Sequence, residues 1–343
     1  MDAQKLIDTA AALVAGDKGL LAMDESTPTC NKRFAPLGIP LTAEARRAYR
    51  DMIVTTPRLR ECISGAILYD ETLRQKTNQG LPFAEALSAV GIVPGIKVDA
   101  GAKALAGHAG EEVTEGLDGL RNRLAEYAAM GVRFAKWRAV IRIGAATPSR
   151  ACITANAHAL ARYAMLCQEA GLVPIVEPEV LLDGDHTLAR CAAVTADVLH
   201  TVFDALDAQQ ALLEGLLLKP SMVLPGLATA DQSSVDAVAE ATIACLLRNV
   251  PAAVPGVAFL SGGQSAQLAS VRLNAMNARY RSRLPWALTF SFARAIQQPA
   301  LQAWRGLAEN VSAAQQALFH RADCNRAARR GAYDAATDAP RSV

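Results

Sequence analysis

A chain of 343 residues with 35 Lys and Arg against 33 Asp and Glu, 51% hydrophobic and 5% aromatic, has the composition of a folded globular protein with a large core. A net charge of +2 excludes a polybasic nucleic-acid binder and a disordered polyelectrolyte. No run reaches the roughly 18 apolar residues of a membrane span, and acidic residues break the N-terminal apolar stretch that a signal peptide would need, so secretion is not expected.

In chain order, eight short apolar runs predict strands: GLLAMD (19–24), ISGAILYD (63–70), GIVPGIKVD (91–99), RFAKWRAV (133–140), LVPIVEPE (172–179), LEGLLLKP (213–220), GVAFLSG (256–262) and WALTFSF (286–292). Their near-continuous hydrophobicity is what parallel strands buried on both faces require. Ala-rich segments of helical period lie between them, for example Leu117, Leu120, Leu124 and Tyr127, and then Leu188, Cys191, Thr195, Val198, Val202 and Leu206. Gly131 and Gly171 follow two such segments, as left-handed helix ends.

Strands recurring about every 38 residues and alternating with helices predict a single α/β domain, a (β/α)8 TIM barrel over residues 1–320. The long helical intervals exclude a propeller, and a doubly wound open sheet stays the alternative, although no G-x-G-x-x-G follows the first strand. From residue 321 the sequence RADCNRAARRGAYDAATDAPRSV loses apolar period, so 321–343 is expected to be a flexible C-terminal tail. The seven cysteines are widely spaced with no C-x-x-C pair, which predicts reduced thiols in a cytoplasmic protein. The five histidines lack close ligand spacing, and no metal or other cofactor is expected.

In a barrel, chemistry gathers at the C-terminal ends of the strands. The polar residues closing the runs are Asp24, Asp70, Lys97 with Asp99, Lys136 with Arg138, Glu177 with Glu179, Lys219, Ser261, and Ser291 followed by Arg294. Only eight lysines stand against 27 arginines, yet Lys97, Lys136 and Lys219 all close buried strands. A position that keeps lysine where arginine is the default cation points to amine chemistry, because only the ammonium can become a neutral nucleophile. The plainer reading is a set of strand-end ion pairs with Asp24, Glu177 or Glu179. Period two puts Lys136 and Arg138 on one side of their strand, and Glu177 and Glu179 likewise, which fits mutual neutralisation or proton transfer beside a reactive amine. Ser261-Gly262-Gly263 after the seventh strand and Arg294 after the eighth occupy the usual phosphate position of this fold.

Through LAMDEST (21–27), NKRF (31–34), GIKVD (95–99), GLDGL (116–120), FAKWR (134–138), PIVEPE (174–179), DGDH (183–186), LLLKP (216–220), FLSGGQS (259–265) and WALTFSF (286–292), the sequence resembles class I fructose-bisphosphate aldolase over residues 5 to 320. The resemblance implies reversible, metal-independent cleavage of fructose 1,6-bisphosphate to dihydroxyacetone phosphate and glyceraldehyde 3-phosphate in glycolysis and gluconeogenesis. It implies sugar phosphates as the only partners, with neither nucleic acid nor membrane, and a homotetramer. It makes Lys219 the Schiff-base lysine and Glu177 the main acid and base, with Asp24, Lys136, Arg138 and Glu179 around them. Ser261, Gly262 and Arg294 match the ketone-side phosphate site; Lys97, Ser26 and Thr29 lie near the distal phosphate, and Lys32 and Arg33 line the same cleft.

Three departures accompany the match. Pro28 and Thr29 alter the STPT segment at 26–29, Ala293 replaces a usual glycine before Arg294, and PRSV stands where the family ends in tyrosine. Tyr333 is the one tyrosine beyond residue 320; it is expected to be an ordinary tail residue, its loss leaving cleavage nearly unchanged. The alternatives are another Schiff-base sugar-phosphate lyase or transferase, such as a transaldolase-like enzyme, and a catalytically silent barrel used as a binding scaffold.

Overall fold

A computed structural model describes residues 2–230 and 232–338. Its strands are β1 (Gly19–Ala22), β2 (Ile63–Leu68), β3 (Val93–Lys97), β4 (Gly101–Ala104), β5 (Glu112–Glu115), β6 (Phe134–Ile141), β7 (Val173–Val180), β8 (Leu217–Leu218), β9 (Gly256–Phe259) and β10 (Ala287–Phe292). Eight of them close into a barrel in the order β1-β10-β9-β8-β7-β6-β3-β2, every pairing parallel, with helices outside. All eight apolar runs are barrel strands, and the fold is the (β/α)8 barrel. The remaining two, β4 and β5, form an antiparallel hairpin between β3 and β6 that the apolar runs do not reveal. Among the described residues no helix is long and apolar enough to cross a membrane.

Alternation along each strand divides the core in two. Outward side chains such as Leu21, Ala66, Ile96, Trp137 and Val176 pack beneath the helices. Inward ones, among them Leu20, Ile67, Phe134, Ile175, Leu217 and Ala258, fill the barrel floor together with Leu6, Ala10 and Leu13 from the N-terminal helix Ala3–Leu13. Glycine is required at the floor: a Cβ on Gly95 would stand 2.2 Å from the Phe134 ring. A large aromatic thus fits inside because its neighbouring strand carries no side chain there.

The expected boundary at residue 320 falls inside a helix, Val311–Arg330, which packs on the helices Ala266–Tyr280 and Arg294–Trp304. Residues 321–330 belong to the domain, because Arg321, Asn325 and Arg329 turn the same face inward at helical spacing. Gly331, at φ 74°, ends the helix in the left-handed conformation. Tyr333 is buried too, donating from its hydroxyl to Asp338 Oδ2 at 2.5 Å, while its backbone N–H donates to Asn274 Oδ1 at 2.9 Å. The tail reading is therefore corrected through residue 338; residues 339–343 lie outside the described residues.

Candidate active site

The alternation that puts Phe134, Ile175 and Leu217 into the floor makes Lys136, Glu177 and Lys219 the next inward positions, one layer higher. β6, β7 and β8 are consecutive neighbours in the wall, and the Lys219 N–H donates to Val176 O at 2.8 Å, fixing its height beside Glu177. All three residues are 3–4% exposed. They open into a cavity of about 900 Å³ at the C-terminal mouth of the barrel.

Glu177 bridges the two lysines. Its Oε1 lies 3.0 Å from Lys219 Nζ and its Oε2 3.3 Å from Lys136 Nζ. Lys136 Nζ also meets Asp24 Oδ2 at 2.7 Å and Asp99 Oδ2 at 4.0 Å. Burial opposes the charge on Asp24, but Lys136, Lys219 and Lys97 outweigh it and hold the carboxyl far below the usual carboxylate range. Burial opposes the charge on Lys136 as well; Asp24, Glu177 and Asp99 reverse that sign and raise its ammonium well above an ordinary lysine. Lys136 and Asp24 are consequently a fixed ion pair at neutral pH.

Around this centre the remaining expected residues fall into three groups, and all of them line the cavity. On the β3 and β6 side, Lys97 Nζ pairs with Asp99 Oδ1 at 2.8 Å, and Arg138 pairs with Glu179 through Nε and Oε2. The neutralising reading of paired charges thus holds for Arg138 and Glu179, whereas Glu177 faces the amines. After β1, Ser26 starts the helix Thr27–Phe34, with its Oγ 3.0 Å from Thr29 Oγ1. Lys32 is exposed, and Arg33 is paired with Glu25 at 2.5 Å. After β9 and β10, Ser261 precedes Gly262 and Gly263, at φ 57° and 87°, and Arg294 begins the next helix with its Nη2 3.5 Å from the position of a Cβ on Gly263. Among the described residues neither Lys32 nor Arg294 forms an ion pair, leaving two rim cations for an anionic ligand.

The deciding observation comes from comparison with known proteins. The family model for fructose-bisphosphate aldolase class-I matches residues 5–342. The chain belongs to that family. It is 54% identical, over 97% of its length and 99% of the relative's, to the probable fructose-bisphosphate aldolase class 1 of Xanthomonas campestris pv. campestris. It is 50% identical to the cytosolic fructose-bisphosphate aldolase 6 of Arabidopsis thaliana, covering 96% and 92% of the two chains. Its fold matches a solved structure of fructose-bisphosphate aldolase from Plasmodium falciparum in complex with TRAP and a small-molecule inhibitor, with TM-score 0.95, 48% identity, and 97% and 96% of the chains covered. The chain is a class I fructose-bisphosphate aldolase, an enzyme class that works through a Schiff base.

Two departures from the aldolase pattern have a local structural answer. Pro28 sits in the first turn of Thr27–Phe34, where a helix has no acceptor for its N–H. Ala293 has φ −103°, outside the left-handed region that favours glycine. Two site residues were left without a role by the sequence reading. Asp99 accepts from Lys97 Nζ, from the Gly101 N–H at 3.2 Å and from the Arg138 N–H at 3.2 Å, tying β3 to β6; its place at the end of an apolar run was the available signal. Glu25, buried behind Asp24, holds Arg33, Arg50 at 2.8 Å and Gln297 at 2.9 Å, and nothing in the local sequence announces that cluster.

Proposed function

We propose that Lys219 is the amine that forms the Schiff base and that Glu177 moves the protons of that chemistry. The observation supporting both assignments is the 3.0 Å approach of Lys219 Nζ to Glu177 Oε1 inside the barrel mouth. At an ordinary pKa of about 10.4, roughly one lysine in 2,500 is neutral at pH 7, so a carboxylate placed to take the amine proton is valuable. The neutral amine attacks the C2 carbonyl of fructose 1,6-bisphosphate, and Glu177 protonates the departing C2 oxygen as water leaves. The iminium nitrogen then accepts the electron pair released when the C3–C4 bond breaks.

Glu177 takes the C4 hydroxyl proton in this scheme, because Asp24 is too strongly held by Lys136 to be an effective base. Lys136 supplies a fixed positive charge beside developing negative charge on oxygen, and Asp24 keeps that charge in place. β9 flanks β8 and β3 flanks β6, so Ser261, Gly262 and Arg294 suit the ketone-side phosphate while Lys97, Ser26, Thr29, Lys32 and Arg33 suit the distal one. Arg138 and Glu179 border the sugar hydroxyls between them.

Binding energy from the two phosphates orients the reacting bond. Catalysis needs no metal in this account, and the enzyme works in the cytoplasm as a homotetramer. Cleavage of fructose 1,6-bisphosphate by Lys219→Arg and Lys219→Met tests the reading. Both variants are expected to lose turnover while remaining folded; substantial cleavage by Lys219→Arg would contradict amine catalysis.

A further inference from the structure

A second cavity, of about 220 Å³, lies at the opposite end of the barrel, beside the start of β10. Val14, Leu284 and Trp286 supply apolar walls, and Asn277, Arg281 and Arg329 supply polar ones. Arg329 is 5% exposed and comes from the last turn of Val311–Arg330. Three other buried arginines meet carboxylates, Arg46 with Glu71, Arg50 with Glu25 and Arg321 with Asp338, whereas buried Arg272 donates to the Gln264 amide oxygen at 2.8 Å. Among the described residues no carboxylate oxygen lies within 4.0 Å of Arg329. Its guanidinium donates to two backbone carbonyls, Lys18 O and Val14 O.

A buried cation satisfied only by neutral acceptors is costly. A like charge stands beside it, since burial first and then Arg281 push the Arg329 guanidinium down to about 10, with only Asp17 opposing them. Asp17 is itself engaged by Arg326 and Arg330, each at 2.9 Å. Trp286 adds an independent sign: it is 3% exposed, lines the cavity, and its indole Nε1–H has no acceptor among the described residues. A buried indole N–H normally finds one, and it can only donate. Two guanidiniums and a spare N–H around a small cavity with apolar walls make a donor set complementary to a tetrahedral oxyanion.

We propose that this cavity is a second anion site, taking a phosphate group between Arg281, Arg329 and the Trp286 indole N–H. Occupancy would fasten the C-terminal helix to the barrel floor, because Arg329 already holds the turn carrying Val14 and Lys18. The ligand binds the folded chain alone and therefore raises its melting temperature.

Calorimetric titration of the full-length protein with inorganic phosphate tests this, its catalytic cavity being filled by saturating hexitol 1,6-bisphosphate. One residual site is expected, weakened at least about tenfold both by Arg281→Ala, an exposed residue, and by Trp286→Phe, which keeps the ring and removes the donor. Cleavage activity of Arg281→Ala is expected to match the parent, and a tungstate-soaked crystal to show the ion between the three side chains. Glycerol 3-phosphate in place of phosphate separates the sources: tighter binding names a phosphate ester as the ligand, weaker binding names the free ion. No residual binding, or a residual site indifferent to both substitutions, overturns the proposal.

Discussion

The carboxylate of Glu177 lies between two lysine side chains, its Oε1 3.0 Å from Lys219 and its Oε2 3.3 Å from Lys136. One lysine is locked in charge by Asp24, and the other meets no carboxylate but Glu177 among the described residues. On the proposed reading that asymmetry divides the labour, with Lys136 as electrostatic fixture and Lys219 as nucleophile.

Glu177→Gln is expected to reduce turnover by about 10² to 10⁴, the worth of a positioned acid and base, with a smaller change in substrate affinity. Steady-state cleavage of fructose 1,6-bisphosphate measures both. Full turnover with weakened binding would make Glu177 an ion-pair member only.

Arg294→Ala is expected to weaken substrates bearing the ketone-side phosphate by about 1.5 to 3 kcal/mol, the value of a charge-assisted contact. A substrate lacking that phosphate serves as the control. Equal losses for both substrates would remove Arg294 from the phosphate site.

Lys136→Met leaves Asp24 buried without its nearest counter-charge, and a loss of about 3 to 5 kcal/mol is expected at pH 7. In the parent the depressed Asp24 stabilises the fold above about pH 4, and that contribution fades as pH falls. The variant keeps Lys219 and Lys97 near Asp24 but loses the nearest charge opposing burial, so the same carboxyl titrates higher than in the parent and protonation becomes easier. The deficit should therefore shrink on going from about pH 7 to about pH 5, as read by urea unfolding. An equal deficit at both pH values would show that Lys136 matters through packing and not through charge.

Truncation separates the C-terminal helix from the chemistry. Removing residues 325–343 takes away Asn325, which accepts from Ser270 at 2.7 Å, together with buried Ala328, Arg329 and Tyr333. A stability loss above about 3 kcal/mol is expected, in contrast to the small effect anticipated for a loose tail. Tyr333 does not line the catalytic cavity. Tyr333→Phe should cost about 1 kcal/mol and leave turnover within about threefold. A tenfold loss of turnover in Tyr333→Phe, with the fold intact, would give that hydroxyl a part in the reaction.

The barrel was legible because strands buried on both faces must be continuously apolar, and their polar stops mark one mouth. The β4–β5 hairpin was not, since its strands are short and only partly buried, with no apolar run to find. The C-terminal helix escaped for a different reason: its buried face is written with Arg321, Asn325 and Arg329, which hydrophobic periodicity scores as polar. Polar groups there are satisfied by partners far away in sequence, such as Ser270 and the carbonyl of Val14. Glu25 was invisible likewise, because its partners Arg50 and Gln297 meet only in the closed barrel.

Borohydride reduction in the presence of dihydroxyacetone phosphate, followed by peptide mass analysis, tests the central claim most directly. A stable adduct of one substrate mass on the peptide bearing Lys219 is predicted, with cleavage unaffected by a chelator. An active enzyme labelled at Lys136, or labelled nowhere, would contradict the assignment of Lys219 as the Schiff-base residue.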